Sequence, residues 1–451
     1  MADHASSDNP AVQAQLDRLS YLSPGRDVLG LDRITALLGR LGNPHQSLPP
    51  VFHVAGTNGK GSTAAFLRAA LEAAGHSVHA YTSPHLVRFN ERIRIAGRLI
   101  DDAALAPLLA EVLDASADIA PSFFEATTAA AFLAFARTPA DAAIIEVGLG
   151  GRLDATNIIA APLVTGIASL GIDHREFLLA PEAGTPSEPL ARIAFEKAGI
   201  AKKGAPLVTL AHAEIAAAAI ANQAKRVGAP LLVQGRDWEI GPAADHHVFR
   251  DKQGSVFLPQ PALAGAHQLA NAGLAVAMLR VQTKLAVDPA ALSAAMRGVR
   301  WPGRLQRLGP GPLTAQAPLG ELWLDGGHNV DAAQRIADFF ARDLAQRGPV
   351  DLIIGMLANK DLGGFLAAMA PVVRALVAVP VAGHAHHTPE AITALAKQHG
   401  IRHLGQATDV SAALGIISSL ARKERKARGV AIMGSLYLAG DVLRLNDEVP
   451  D

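Results

Sequence analysis

The sequence predicts an α/β chain, with a P-loop-type parallel-sheet domain followed by a smaller doubly wound (Rossmann-like) α/β domain. Three observations carry that reading. Short apolar runs of strand length alternate with stretches of helical periodicity along most of the chain. One of those runs, Val51 to Ala55, feeds a glycine-rich turn and then a helix starting near Lys60. A Gly- and Pro-rich stretch from Gly298 to Pro312, GVRWPGRLQRLGPGP, then interrupts the alternation before it restarts. The predicted domains are therefore residues 1–297 and 298–451.

The 451 residues suffice for two or three domains and a large core. Half of them are hydrophobic, but Arg, Asp, Glu, Gly or Pro break the alanine-rich runs before any reaches membrane-spanning length. Lys plus Arg number 41 and so do Asp plus Glu, so no overall field favours nucleic acid or an anionic membrane. An aromatic content of 4% also argues against base-stacking surfaces. The absence of cysteine excludes disulfides, zinc–thiolate sites and thiol catalysis, and agrees with a cytoplasmic location. The opening MADHASSDNPAVQAQ has no basic segment followed by an apolar one, so it reads as a frayed start rather than a secretory signal.

The elements follow in order. Tyr21 to Gly42 reads as a loop and an amphipathic helix carrying Leu29, Leu31, Ile34, Leu37, Leu38 and Leu41. After the strand at Val51, the helix from Lys60 to Ala74 ends at Gly75, a natural C′ residue. Ser77 to Thr82 completes a strand–helix–strand unit. The polar loop SPHLVRFNERI, with Ser83, Pro84 and His85, then falls where parallel sheets carry ligands. Further strands are expected at Ala142–Gly148, Leu163–Ala168, Pro206–Leu210 and Pro230–Gln234, with helices at Phe124–Ala136 and Leu190–Ala198. Beyond Pro312, strands are expected at Glu321–Asp325, Asp351–Met356, Ala375–Val381 and Gly429–Met433.

Chemistry concentrates at strand ends. In VFHVAGTNGKGST, Gly56 and Gly59 let the backbone approach an anion, Lys60 brings a mobile charge, and Ser62 and Thr63 add hydroxyls. The spacing departs from GxxxxGK[ST], and a plain strand-to-helix turn with a solvated lysine is the competing reading. Glu146, in AIIEVGLGGRLDATN, ends a strand before a glycine turn, the position of a magnesium ligand or of a simple turn cap. Asp154 and Asn157 follow as further polar groups. Asp173 and His174 in SLGIDH are a weak signal alone, a strand-end histidine being commonly just hydrogen-bonded. Lys197, beside Glu196 in IAFEKAGI, reads as half of a solvated pair. Arg304 in WPGRL is either a linker arginine or a fork for phosphate. Asp325, His328 and Asn329 in LWLDGGHNVDAA repeat the strand–turn–helix arrangement without a lysine, suited to a ribose or a substrate amine. The histidines His384 to His387 of HAHH lack a neighbouring acid or cysteine, and RKERKAR from Arg422 to Arg428 reads as a solvated helix face.

Taken together, GTNGKGS, TSPHL, RFNERI, EVGLGGRLDATN, DH, EKAGI, WPGRL, DGGHN and GSLYLAGD occur in the order seen in folylpolyglutamate synthases of the Mur ligase superfamily. The resemblance runs from about Leu29 to Asp441, and SFFEATTAA resembles the dihydropteroate-contacting segment of the bifunctional dihydrofolate synthases. It implies an ATP-dependent, ADP-forming ligase that joins L-glutamate to dihydropteroate and to folates through an acyl phosphate, without nucleic acid or membrane, as a cytoplasmic monomer. It further implies that Gly56, Thr57, Asn58, Gly59, Lys60 and Gly61 form the phosphate loop and that Ser83, Glu146 and His174 hold magnesium. Asn271, Arg304 and Asp325 match ATP-holding positions, while Leu29, Gly30, Phe124 and Glu125 fall in pterin-binding segments. Lys197 matches a lysine carried as a carbamate, which requires a partly buried, neutral amine. One departure stands out: FLLAPEAGTPSEPLARIAF is a longer link between DH and EKAGI than the family has, close to the expected metal ligands. A cell-wall Mur ligase, a monofunctional folylpolyglutamate synthase and a nucleotide-dependent switch or binding protein are the alternatives.

Overall fold

A computed structural model describes residues 5–22, 29–243, 245–317, 320–342, 348–424 and 429–451, with the backbone alone at 423 and 424. The chain divides into two compact units. One comprises Met1–Ala262, Gln268–Arg300 and Asp451, and the other Leu263–His267 and Trp301–Pro450.

The first unit opens with α1 (Pro10–Ser20). Asn9 caps it by accepting from Ala11 N and Val12 N, Pro10 starts it, and Val12, Leu16 and Leu19 are buried. The expected frayed start is thereby corrected: a cap and an i, i+4, i+7 apolar stripe suffice to dock these residues. Helix α2 (Asp32–Arg40) buries Ile34, Leu37 and Leu38 in the same core.

Strand β1 (Val51–Ala55) is buried along its whole length. It pairs in parallel with both β5 (Ala142–Glu146) and β6 (Val164–Ile167), which is why it reads as a continuous apolar run. The sheet is completed by β2 (Val78–Tyr81), β3 (Ile93–Ile95), β4 (Arg98–Leu99), β7 (Leu207–Thr209) and β8 (Leu231–Val233). Its order is β4-β3-β2-β5-β1-β6-β7-β8, with β3 and β4 antiparallel at one edge. The connecting helices are α3 (Lys60–Ala73), α4 (Asp102–Ala115), α5 (Phe123–Arg137), α6 (Arg175–Leu178), α7 (Pro189–Ala198) and α8 (Glu214–Val227). Residues of α1, α2, α4 and α5 pack into one apolar cluster. A separate antiparallel sheet of β9 (Trp238–Ala243), β10 (His246–Asp251) and β11 (Gly254–Leu258) precedes α9 (Ala266–Val281) and α10 (Pro289–Gly298).

The second unit holds β12 (Gln306–Arg307), α11 (Pro312–Gln316), β13 (Leu322–Asp325), α12 (Val330–Arg342), β14 (Val350–Ile354) and α13 (Leu362–Met369). It continues through β15 (Val373–Ala378), α14 (Pro389–Gln398), β16 (His403–Gln406), α15 (Val410–Glu424), β17 (Val430–Met433) and α16 (Leu436–Leu445). The strand order is β12-β13-β17-β14-β15-β16, all parallel except β12, the doubly wound arrangement. β12 lies in the stretch from Gly298 to Pro312, so that stretch is not wholly a connection. A buried pair stiffens the sheet, Arg374 donating to Asp351 from Nε at 2.8 Å and from Nη2 at 2.6 Å. Of the RKERKAR run, Arg422 is exposed, and the side chains from 423 to 428 lie outside the described residues. Among the described residues no helix is long and apolar enough to cross a membrane.

Candidate active site

Because β2, β5, β1 and β6 run parallel as neighbours, the loops leaving their carboxyl ends share one edge of the first unit's sheet. The loop after β1 is braced from two sides. Thr57 N and Asn58 N donate to Ser169 O at 2.8 and 3.3 Å. The Thr57 hydroxyl donates to Gly171 O at 2.8 Å and accepts from Gly171 N at 3.0 Å. Gly56, at φ 154°, sits where a Cβ would stand 2.9 Å from Ala168 Cβ. Gly59 is left-handed at φ 85°, and Asn271 of α9 fills the space its Cβ would need. Gln268 orients that amide, accepting from Asn271 Nδ2 at 3.0 Å. Gly59 caps α3 with no side-chain hydrogen bond, so no capping side chain covers the first-turn amides of Lys60, Gly61 and Ser62. Lys60 Nζ folds back to Gly56 O at 3.2 Å and Thr57 O at 3.5 Å.

Glu146, the last residue of β5, is 4% exposed and accepts from Ser83 N at 3.3 Å. The loops after β2 and β5 thus meet at this carboxylate. The Ser83–Pro84 peptide is cis. His85 Nδ1 accepts from Arg92 Nε at 2.9 Å, and the Arg92 guanidinium lies 5.5 Å from the Phe89 ring and 5.4 Å from that of Phe123.

Behind Glu146 the glycines of GLGGR admit close neighbours. The Phe124 ring lies where a side chain at Gly148 would project. Asp154 is buried and organises its own loop, accepting from Leu149 N at 2.8 Å, from Thr156 N at 3.0 Å and from the Thr156 hydroxyl. Burial pushes its pKa up, against those bonds. Glu125 closes a capping box with Ser122 and accepts from Arg33 Nε at 2.9 Å, while its Oε1 is buried without a hydrogen bond.

After β6, Asp173 accepts from His174 N at 2.8 Å, and His174 takes left-handed backbone angles as it leads into α6. Lys197 on α7 is buried, which corrects the solvated-pair reading, because Glu196 turns to Arg152 and Arg192 instead. Burial, first, and the charge of Lys60, second, bring the Lys197 ammonium down to about 7, against the pull of Asp173, Asp154 and Glu196.

The second unit carries its own cluster. Asp325 accepts from Leu305 N at 2.7 Å and from Gly327 N at 2.6 Å, tying the WPGRL turn to the DGGHN turn. Arg304 Nη1 donates to Gly303 O at 3.3 Å and lies 2.9 Å from where a Gly326 Cβ would stand. His328 Nδ1 bonds Gly326 O at 2.9 Å, and Asn329 Oδ1 accepts from Ala332 N at 2.9 Å at the head of α12. The HAHH segment is structured by its own chain, with His384 stacked on Tyr437 and His387 Nε2 bonded to Lys360 O at 3.0 Å.

The sequence profile of the dihydrofolate synthetase C-terminal domain matches residues 315–445. Dihydrofolate synthase/folylpolyglutamate synthase of Escherichia coli K12 is 32% identical over 425 residues, 93% of this chain and 92% of the relative. The chain belongs to the dihydrofolate synthase/folylpolyglutamate synthase family. E. coli FolC in complex with DHPP and ADP superimposes with a TM-score of 0.82 at 31% identity, covering 98% of each chain. A bifunctional folylpolyglutamate synthase/dihydrofolate synthase with Mn, AMPPNP and L-glutamate bound gives 0.80 at 30%, covering 98% of this chain and 99% of that one. The family's enzymes are ADP-forming ligases.

In this family member the first unit gathers the loop Gly56–Ser62, Ser83, Glu146 and Asn271, with Lys197 electrostatically linked to Lys60. Leu29 and Gly30 are half-buried ahead of α2, and Gly30 has open space around it. Arg304, Asp325 and His328 belong to the second unit. Sequence reasoning missed Arg33 and Gln268, the partners that orient Glu125 and Asn271. Gln268 stands three residues before Asn271 on one helix face, a signal that was readable; the pairing of Arg33 with Glu125, 92 residues away, was not.

Proposed function

We propose that the protein is an ATP-dependent, ADP-forming amide ligase that adds L-glutamate to 7,8-dihydropteroate and to tetrahydrofolate (poly)glutamates. The observation that supports this most is the braced glycine loop on the central strand, with Lys60 and open helix amides beside the buried Glu146. The substrate carboxylate attacks the γ-phosphorus of ATP, breaking its bond to the bridging oxygen and releasing ADP. The glutamate amine then attacks the acyl carbon, phosphate departs, and the amine proton passes to solvent or a nearby base. Both steps depend on positioning and charge neutralisation.

In this reading Lys60 and the amides of Gly59 to Ser62 hold the phosphates, and Thr57 and Asn58 keep the loop in shape. Asn271, Arg304 and Asp325 serve the rest of the nucleotide. Leu29, Gly30, Pro84, His85, Phe124, Glu125 and Asp154 shape the pterin side, and His328 steers the amine. Ser83, Glu146 and His174 offer a hydroxyl, a carboxylate and an imidazole, a set that suits a hard divalent cation such as magnesium, and the backbone amide of Ser83 donates to Glu146. When bound, the cation neutralises phosphate charge during transfer. Lys197 is proposed to carry a carbamate, its neutral nitrogen adding to carbon dioxide and losing a proton. The depressed ammonium pKa, about 7, supplies that neutral form near physiological pH. We place the enzyme in the cytoplasm as a monomer, with no nucleic-acid or membrane partner.

The test is ADP release measured with ATP, magnesium and glutamate, adding dihydropteroate or tetrahydrofolate as acceptor. Release that needs glutamate and either acceptor supports the bifunctional reading. Release with tetrahydrofolate alone supports a monofunctional folylpolyglutamate synthase. Release indifferent to glutamate would overturn the ligase in favour of a nucleotide switch.

A further inference from the structure

The lengthened link between His174 and α7 carries a carboxylate with a defined place. Arg152 Nε and Nη2 donate to Glu196 Oε2 and Oε1 at 3.1 and 3.0 Å, and Arg152 Nη2 donates also to Glu182 Oε2 at 2.5 Å. Arg192 Nη2 donates to the same Glu182 oxygen at 2.8 Å and lies 3.1 Å from Glu196 Oε1. Two arginines and two glutamates thus close a ring. The side chains of Arg192 and Glu196 are 6% and 4% exposed, that of Arg152 is 23% exposed and that of Glu182 is 44% exposed.

Three members of the ring are fixed by the fold. Arg152 N donates to Glu196 O at 2.8 Å, the Arg152 Cα would lie 2.5 Å from a Cβ at Gly199, and Arg192 and Glu196 share a face of α7. Without Glu182 they form an Arg–Glu–Arg triad with one positive charge in excess, an arrangement that is unfavourable when mostly buried. Glu182 neutralises it. The rest of the link is held lightly, by Leu178 against Gly150, by a turn in which the Thr185 hydroxyl donates to Glu182 O at 2.6 Å, and by the Glu188 cap on α7.

We propose that Glu182 is a positioning residue: it pins the midpoint of the link to Arg152 and Arg192, and so fixes His174 relative to the segment of α7 that bears Lys197. This rests on the reading above that His174 and Lys197 serve a metal-dependent site. It also gives a purpose to the length of the link, since a longer segment needs an anchor of its own.

The test compares full-length wild type with Glu182→Ala, Glu182→Gln and, as a control, Asp118→Ala, which removes an exposed ion pair with Arg40. Amide hydrogen exchange over residues 174–188 is expected to quicken by about tenfold in Glu182→Ala, as local opening becomes easier. Manganese affinity, titrated by electron paramagnetic resonance with a non-hydrolysable ATP analogue, is expected to weaken by about tenfold, the scale of lost outer-shell support. Turnover falls most at limiting metal ion. Glu182→Gln, which keeps an accepting oxygen, recovers part of each loss, and Asp118→Ala changes none. Unchanged exchange and manganese affinity in both Glu182 variants would overturn the proposal. So would a fall in melting temperature with manganese affinity intact, the mark of a merely structural contact. Because exchange is read without turnover, a wild type that makes no glutamate-dependent ADP would sink the ligase reading and still leave the pinning of the link open to judgement.

Discussion

Asn271 fills the space beside Gly59 that any other residue would need for its side chain. The glycine is thereby required twice, for its left-handed backbone and for that contact. Replacing Gly59 with Ala is expected to add about 1–2 kcal/mol of backbone strain and to displace the Asn271 amide. Affinity for an ATP analogue should fall by about tenfold or more, or about 1.4 kcal/mol. Fluorescence titration checks this, and unchanged affinity would show that the packing has no bearing on nucleotide.

Lys60 reaches back over its own loop to two carbonyl oxygens, so its removal unburdens rather than breaks the fold. Lys60→Ala should keep the wild-type circular dichroism spectrum and lose on the order of a thousandfold in ADP formation, the scale of a lost charge on a transferring phosphoryl group. Normal turnover in that variant would remove the loop from the chemistry.

Lys197 makes opposite demands on stability and activity. Its folded pKa of about 7 lies below the ordinary lysine value of 10.5, because burial disfavours the charge. Between those two values the unfolded chain binds the proton more readily, so stability is lost as pH falls from the upper to the lower. Lys197→Met is therefore expected to melt later than the uncarbamylated wild type at pH 7, by a few kcal/mol in order of magnitude, while losing activity. Short carboxylic acids should restore some turnover to Lys197→Ala. A less stable methionine variant that remains active would contradict both halves.

Three histidines, His53 buried and His212 and His267 half-buried, help set the acid limit. Burial lowers His53 to about 3, and His212 and His267 to about 4. Each is neutral in the fold while the unfolded chain takes up a proton below about 6.5. Stability should drop as pH falls from 6.5 towards 5, each group contributing a slope approaching about 1.4 kcal/mol per pH unit. His53→Gln, which can still meet the Thr156 hydroxyl, should flatten that slope by up to about 1.4 kcal/mol per pH unit, its own share. An unaltered slope in urea denaturation across this range would show that His53 is charged in the fold.

Asp351 is fully buried beneath Arg374, which donates to both of its carboxylate oxygens. Arg374→Met, which takes both of these bonds from the buried carboxylate, is expected to destabilise the second unit by about 3–5 kcal/mol, and the double change with Asp351→Ala to recover most of it. Chemical denaturation of the two variants decides it; equal losses would show that packing, not charge, is at stake.

The strands at Val51, Ala142 and Val430 were legible because parallel strands buried on both faces leave continuous apolar runs bounded by glycine. The sheet from Trp238 to Leu258 was not, since its first two strands mix buried, half-buried and exposed positions without a regular period, and Gly241 and Pro242 sit inside one of them. His403–Gln406 was missed for a similar reason, as a half-exposed edge strand with a glycine. At the site, glycine loops and strand-end acids announce themselves. The state of Lys197 does not: its neighbour Glu196 looks like its partner in sequence, and only the fold hands that carboxylate to Arg152 and Arg192.

The paired bonds between Thr57 and Gly171 give the loop after β1 its shape from within the protein. If this loop holds phosphates as proposed, it is already ordered before they arrive, and little conformational entropy is lost on binding. The same two bonds make the segments on either side of them a single lever. A displacement of Thr57 would act first on Gly171, two residues from Asp173 and three from His174, through bonds inside the protein.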